Sequence, residues 1–282
     1  MISELARAKI NLTLDILGLR ADGYHEVSMI LQTIELADEL TLSKSDAVSL
    51  TVDGGNNVPS DERNLAWRAA LELQKFCGKN FGVAIRLKKN IPVAAGLAGG
   101  SADAAAVLRG LNRLYELNLT DEDLRTIGAR IGSDVPFCVS GGTCLAEGRG
   151  EILTPLAPLK KFNVVLAKPD AEISTAWAYR AYDAAPAQIH PPTKTIVAQL
   201  AKGDCDAAFK NFGNVLEGVA ISKVPAIAAY KRKFLAAGAS VAQMSGSGAT
   251  VFALTDEAHL RQVAAAVDSA QIFITQTLSK ED

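Results

Sequence analysis

From Pro92 to Ala104 the chain reads Pro-Val-Ala-Ala-Gly-Leu-Ala-Gly-Gly-Ser-Ala-Asp-Ala, and few backbone arrangements suit such a run. A strand-like stretch at 82–88 leads into it. Beyond it Ala104, Val107, Leu108, Leu111 and Leu114 recur at a helical period, which predicts a helix from about Ser101 to Tyr115. The segment is thus a strand–loop–helix junction with nothing bulkier than Leu97 between Gly96 and Ser101. Backbone can approach a ligand closely there and turn its N–H groups toward it, while the first helical turn adds unpaired donors and the positive end of its dipole. A phosphate fits such a junction. A helix entry with glycines chosen only for packing fits the same residues, and the loop alone does not separate the two readings.

The flanking sequence supplies a frame for it. Over residues 5–17, Ala6, Ala8, Ile10, Leu12, Leu14 and Ile16 alternate with Arg7, Lys9, Asn11, Thr13 and Asp15, which predicts a half-buried strand with Lys9 and Asn11 on its polar face. Strand-like runs follow at 27–36, 38–43 and 48–53, a mostly antiparallel set. Asp61 or Asn64 caps a helix that starts at Leu65 and stops at Gly78. Thr120 caps another over 121–131, and 141–153 reads as a hairpin turning at Gly148-Arg149-Gly150. The pattern pauses at Pro155-Leu156-Ala157-Pro158, where a boundary would divide the chain into 1–156 and 157–282. The second part reads as strand 162–168, helix 172–183, a proline-bearing loop, helices to about 237, strands 240–244 and 249–255, helix 256–267 and strand 271–276. The predicted class is α+β, built as two-layer α/β sandwiches.

Composition narrows the range of partners. At 282 residues and a formal net charge of −2, with both signs mixed throughout, the chain has no basic stripe for nucleic acid. Its apolar runs, such as Val164 to Ala167, are too short for a bilayer, and its start lacks the order of a signal peptide. Small-molecule ligands in the cytoplasm are the expectation. Cys77, Cys138, Cys144 and Cys205 form no Cys-x-x-Cys pair and have no companion His at ligand spacing, so they read as buried thiols in a reducing compartment.

Familiar nucleotide signatures are missing: no Gly-x-x-x-x-Gly-Lys-Ser/Thr, no Gly-x-Gly-x-x-Gly after a strand, no His-Arg-Asp or Asp-Phe-Gly. A second small-residue loop, Met244 to Thr250, stands between two strand-like runs. It is explained as a tight hairpin, or, paired with the first loop, as the other side of a ligand cleft. Gly132-Ser133-Asp134-Val135-Pro136 sets a carboxylate at a helix start. Asp134 there either caps the helix or, with Lys9 as counter-charge, stays ionised to accept a proton. Tyr24 and His25, ordinary strand-entry residues taken singly, together offer an aromatic plane and a ring donor or acceptor suited to a planar heterocycle.

Three separated segments then resemble one family. Ala6-Arg7-Ala8-Lys9-Ile10-Asn11-Leu12 with Gly23-Tyr24-His25, the loop from Pro92 to Ala104, and Ser245-Gly246-Ser247-Gly248-Ala249 are together similar to the GHMP kinases. The first segment is the most specific, and within the family it resembles kinases whose alcohol substrate carries a cytidine diphosphate. The likeness runs from Lys9 to about Phe252. It implies an N-terminal domain like ribosomal protein S5 domain 2 and a ferredoxin-like C-terminal domain, with the active site between them. It also implies ATP as phosphoryl donor, with Mg2+, to which the sequence assigns no protein ligand.

By resemblance, Pro92, Val93, Ala94, Ala95, Gly96, Leu97, Ala98, Gly99, Gly100, Ser101 and Ala102 wrap the ATP phosphates, and Lys89 lies near the nucleotide. Asp134 is the base acting on the substrate's hydroxyl, and Lys9 neutralises and orients at the same centre. Asn11, Tyr24 and His25 fall at the substrate, His25 at the cytosine edge and Tyr24 near its ring. Tyr179 falls on the ring's other face, and Gly246, Ser247 and Gly248 also belong to the substrate side.

The chain departs from the family pattern in the first loop. Ala94 and Ala98 stand where glycine is commoner, and Ala102 replaces a frequent serine. Alanine tolerates positive φ poorly, so all three are expected at negative φ. Two other functions are compatible with the same fold: a family member acting on another small alcohol, and a catalytically silent ligand-binding module. Lys9 and Asp134, with the lack of a basic face, weigh against the silent module.

Overall fold

The computed structural model describes residues 1–55, 57–186 and 188–280. Its first elements are β1 (Ile2–Leu19), β2 (His25–Ser45), β3 (Val48–Asp53), α1 (Leu65–Cys77), β4 (Gly82–Lys88), α2 (Gly99–Leu114), α3 (Asp121–Ile131), α4 (Val135–Ser140), β5 (Thr143–Gly148) and β6 (Ile152–Pro155). After them come β7 (Asn163–Lys168), α5 (Thr175–Asp183), α6 (Thr193–Ala201), α7 (Cys205–Phe209), α8 (Glu217–Lys223), α9 (Ala226–Ala236), β8 (Val241–Met244), β9 (Val251–Thr255), α10 (Leu260–Ala265) and β10 (Gln271–Gln276). These gather into two compact units that share the chain alternately. One takes 1–8, 36–93 and 98–141; the other takes 9–35, 94–97 and 142–282.

In the first unit, β2 pairs antiparallel with β4 along Glu39–Ser45, and β4 pairs in parallel with β3. A parallel neighbour requires a crossover, and α1 supplies it. Asn64 starts that helix by accepting from the Ala66 N–H, and Gly78 ends it in the left-handed region. Thr120 and Asp123 close a reciprocal capping box at the start of α3. The α1 face with Ala66, Ala69, Ala70 and Leu73 packs on α2, whose residues from Ala102 to Leu108 are all buried.

In the second unit, β2 pairs with β5 along Val27–Gln32 and β5 pairs with β6, forming the expected hairpin. A second sheet runs β10-β7-β9-β8, antiparallel throughout. Helix α9 packs on β8 and β9 through Ile227, Tyr230 and Phe234. Val164 to Ala167 and Val251 to Leu254 are wholly buried, which explains why these strands read as continuous apolar runs.

Four sequence expectations need correction. The first strand is not half-buried: from Ala8 to Ile16 every residue is buried, polar face included. The runs 27–36 and 38–43 are one strand that continues through residue 37, and Asp38 just beyond it is wholly buried and paired. Helix α2 begins at Gly99 rather than Ser101, and of the four cysteines expected to be buried only Cys144 is; helix α4 starts after Asp134, where a helix start is expected. Among the described residues no helix is long and apolar enough to cross a membrane, and none of the four cysteines is in a disulfide.

Candidate active site

The polar face of β1 organises the candidate residues that lie in the second unit. Lys9 donates from Nζ to Asn11 Oδ1 at 2.6 Å and to the Gly96 carbonyl at 3.3 Å. Their i, i+2 spacing on one strand brings these side chains together, as the alternation predicts. Ser245 Oγ donates to the same Gly96 carbonyl at 2.9 Å and accepts the Asn11 N–H at 3.2 Å. The 94–97 tip of the first glycine loop is therefore held directly against the second loop, within one unit.

Glycine is required at that contact. At Gly96, φ is +75° and an added Cβ would lie 2.1 Å from the Ser245 carbonyl; at Gly246, φ is +57° and a Cβ would meet the Gly96 carbonyl at 3.0 Å. Asn214 secures the second loop, donating from Nδ2 to the Met244 and Gly246 carbonyls at 3.0 and 2.8 Å. The Ser247 hydroxyl is 3.0 Å from that of Thr175. Asn214 carries no signal in the sequence, since a side-chain amide between helices resembles any other loop residue.

His25 and Tyr179 do meet, with ring centroids 4.9 Å apart and planes tilted by 40°. His25 Nε2 also lies 2.7 Å from Asp183 Oδ1. Tyr179 and Asp183 sit one turn apart on α5, so one helix face addresses the histidine twice. Tyr24 is half-exposed, with the Arg149 guanidinium 5.0 Å over its ring.

The first unit holds the remaining expected residues. Ala98 ends the loop and serves as N-cap of α2, and Gly99, Gly100, Ser101 and Ala102 form that helix's first turn. Ser101 Oγ lies 3.8 Å from where a Cβ on Gly132 would stand, so the start of α2 adjoins the turn that carries Asp134. Asp134 precedes α4, but its side chain makes no capping bond to that helix, which removes the purely capping account of it. Lys89 is buried between the carboxylates of Asp38 and Asp103, its ammonium 2.7 Å from Asp103 Oδ2. Burial, then the nearby Asp38 carboxylate, push the Asp103 carboxyl up to about 8 against the pull of Lys89.

The expectation of negative φ fails at two of the three alanines. Ala94 has φ +50° and Ala98 φ +57°, whereas Ala102 is helical. The tight entry to α2 imposes a left-handed residue at its N-cap, and the tip pinned by Ser245 imposes another. Alanine occupies both in spite of its Cβ.

The matching family models agree with these loops. The model described as the GHMP kinases N terminal domain matches residues 64–142, and that described as GHMP kinases C terminal matches 196–272. The chain belongs to the GHMP kinases. Among its relatives, the 4-diphosphocytidyl-2-C-methyl-D-erythritol kinase of Bacillus pumilus (strain SAFR-032) is 50% identical over 254 residues, 90% of this chain and 88% of that one. A crystal structure of a 4-(cytidine 5'-diphospho)-2C-methyl-D-erythritol kinase superposes with a TM-score of 0.82 at 34% identity, covering 98% of this chain and 99% of the other. Homoserine kinase from Cytophaga hutchinsonii shares the fold, with a TM-score of 0.78 at 20% identity over 99% of this chain and 94% of its own.

Proposed function

We propose that this chain catalyses ATP-dependent phosphorylation of the 2-hydroxyl of 4-diphosphocytidyl-2-C-methyl-D-erythritol, giving the 2-phosphate and ADP, in the non-mevalonate route to isoprenoid precursors. The observation that carries this reading is the 50% identity over 90% of the chain to a kinase of that name. The cluster of Lys9, Asn11, Gly96 and Ser245 supports it, since it places the most specific motif against the two glycine loops.

In this reading Asp134 takes the proton of the substrate hydroxyl as its oxygen attacks the γ-phosphorus of ATP. The bond from that phosphorus to the β-phosphate bridging oxygen breaks, and ADP leaves with the electron pair. Such transfers ask mainly for positioning and charge neutralisation. Lys9 supplies positive charge, held in one orientation by Asn11 and the Gly96 carbonyl. Residues 92–102 turn backbone donors to the phosphates, with the first turn of α2 contributing its free N–H groups. His25, with Tyr179 beside it and Tyr24 on the same strand entry, receives the cytosine, and Asn11 and Gly246 to Gly248 line the substrate side.

Mg2+ is expected with the nucleotide, where it would neutralise charge on the β- and γ-phosphates. Among the described residues no three His, Cys, Asp or Glu side chains cluster to hold an ion by themselves, so phosphate oxygens would supply most of its ligands.

The finer fold assignment belongs to the same reading. In the second sheet the order fourth-first-third-second supports a ferredoxin-like C-terminal domain. A division of the sequence into 1–156 and 157–282 is supported by family models that match on either side of it, and an S5 domain 2-like N-terminal domain is what the family resemblance implies.

A coupled assay of ADP release with the cytidine diphosphate alcohol tests the function. Asp134→Asn is expected to keep fold and nucleotide binding while turnover drops by ~10²–10⁴-fold. Near-normal turnover in that variant would refute the base, and no ADP from the wild type would refute the function.

A further inference from the structure

Asp38, Lys89 and Asp103 form a buried ion cluster in the first unit, with side chains 0%, 5% and 2% exposed. An ammonium enclosed to that degree is committed to its two carboxyl partners and has no solvent-facing side for a phosphate. What the cluster touches is more informative than its charge. Asp38 Oδ1 accepts the backbone N–H groups of Asn90 at 2.6 Å and Ile91 at 2.8 Å, the two residues that lead into the loop at Pro92. Asp38 Oδ2 binds Lys89 Nζ, and Lys89 Nζ binds Asp103 on the second turn of α2, the helix into which the loop runs. A Cβ on Gly99 would stand 3.3 Å from that same ammonium, so the helix start is packed directly onto it. Asp103 Oδ1 is left buried with no hydrogen-bond partner, a cost tolerated more readily when the carboxyl keeps its proton.

We infer that Asp38 is a positioning residue for the loop 92–102: through two backbone amides and Lys89 it fixes where that loop enters and where it leaves. Lys89 acts in this arrangement as a tether between strand and helix, not as a phosphate ligand. The inference rests on reading the loop as the nucleotide's, and it deepens that reading by naming what preorganises it.

The test compares Asp38→Ala and Asp38→Asn with the wild type by amide hydrogen exchange and by steady-state kinetics. In Asp38→Ala, exchange across 90–98 is expected to accelerate about tenfold while α9 keeps its protection, because two bonds to an ionised acceptor are lost. The KM for ATP is expected to rise about tenfold, with kcat and the KM for the alcohol substrate changed by less than about threefold. Asp38→Asn, whose amide oxygen still accepts both N–H groups but whose NH2 no longer accepts from Lys89, is expected to recover about half of the loss on a logarithmic scale.

Unchanged exchange at 90–98 in Asp38→Ala overturns the inference, as does an equal rise in the KM of both substrates. Should Asp38→Ala not fold, Asp38→Asn decides the matter through a smaller acceleration, about threefold, confined to 90–98. A wild type that releases no ADP would sink the proposed function, yet the exchange data would still decide whether Asp38 holds the loop.

Discussion

Ala98 adopts φ +57° at the N-cap of α2, a conformation that costs an L-residue about 1–2 kcal/mol. Ala98→Gly removes that cost but gives back roughly 0.5–1 kcal/mol in unfolded-chain entropy. The net expectation is a gain of up to ~1 kcal/mol in urea unfolding. Ala98→Val should instead lose at least about 2 kcal/mol, since a β-branched side chain fits the left-handed region worse than alanine. Asp103 gives a second residue-scale prediction. Its folded pKa of about 8 stands above the ordinary 3.8, so the folded state holds a proton that the unfolded chain releases. Stability from this group is full below about pH 4, declines as pH rises toward 8, and is flat beyond. Asp103→Asn abolishes the titration. Its stability relative to the wild type should therefore climb between pH 5 and 8 by up to ~1.4 kcal/mol per pH unit, measured by urea unfolding at each pH.

At the scale of elements, local chemistry was legible wherever a residue's own backbone preference decided the outcome. Asn64 and Gly78 bracket α1, Thr120 opens α3, and the 48–53 and 82–88 strands have the bounds expected. Asn64→Ala should cost about 1–2 kcal/mol, because its side chain both caps the Ala66 N–H and donates to the Pro59 carbonyl; the midpoint of thermal unfolding checks this. Legibility failed where a distant partner reversed a local signal. The sequence divides 27–43 into two runs at residue 37, but Asp38, held by Lys89 and two loop amides, is buried, and β2 runs unbroken from His25 to Ser45. Lys9, Asn11, Thr13 and Asp15 read as the polar face of a half-buried strand, and alternation cannot reveal what covers it. In the candidate site, the proposed residues were named from motif type and family resemblance, whereas Asn214 and Asp183, which only hold others in place, left no mark in sequence.

For the molecule as a whole, the decisive fact is that its compact units do not follow one another along the chain. The second unit needs 9–35 and 94–97 as well as 142–282, and joins them by long-range bonds: Leu278 N–H to the Thr33 carbonyl at 3.0 Å, Leu14 N–H to that of Gly213 at 2.9 Å. Residues 157–282 made alone would carry uncovered apolar surface. That fragment is expected to bind a hydrophobic dye and unfold without cooperativity, and a sharp, full-amplitude transition would count against this view. The bond from the Asn11 N–H to Ser245 Oγ spans 234 residues of sequence. At a synthesis rate of about 5–20 residues per second, β1 emerges from the ribosome roughly 10–50 s before the residue that completes its polar face. During that interval Lys9 and Asn11 are a hydrated strand surface awaiting its cover, so the motif that most sharply marks the chain is among the last parts of the nascent protein to take its final form.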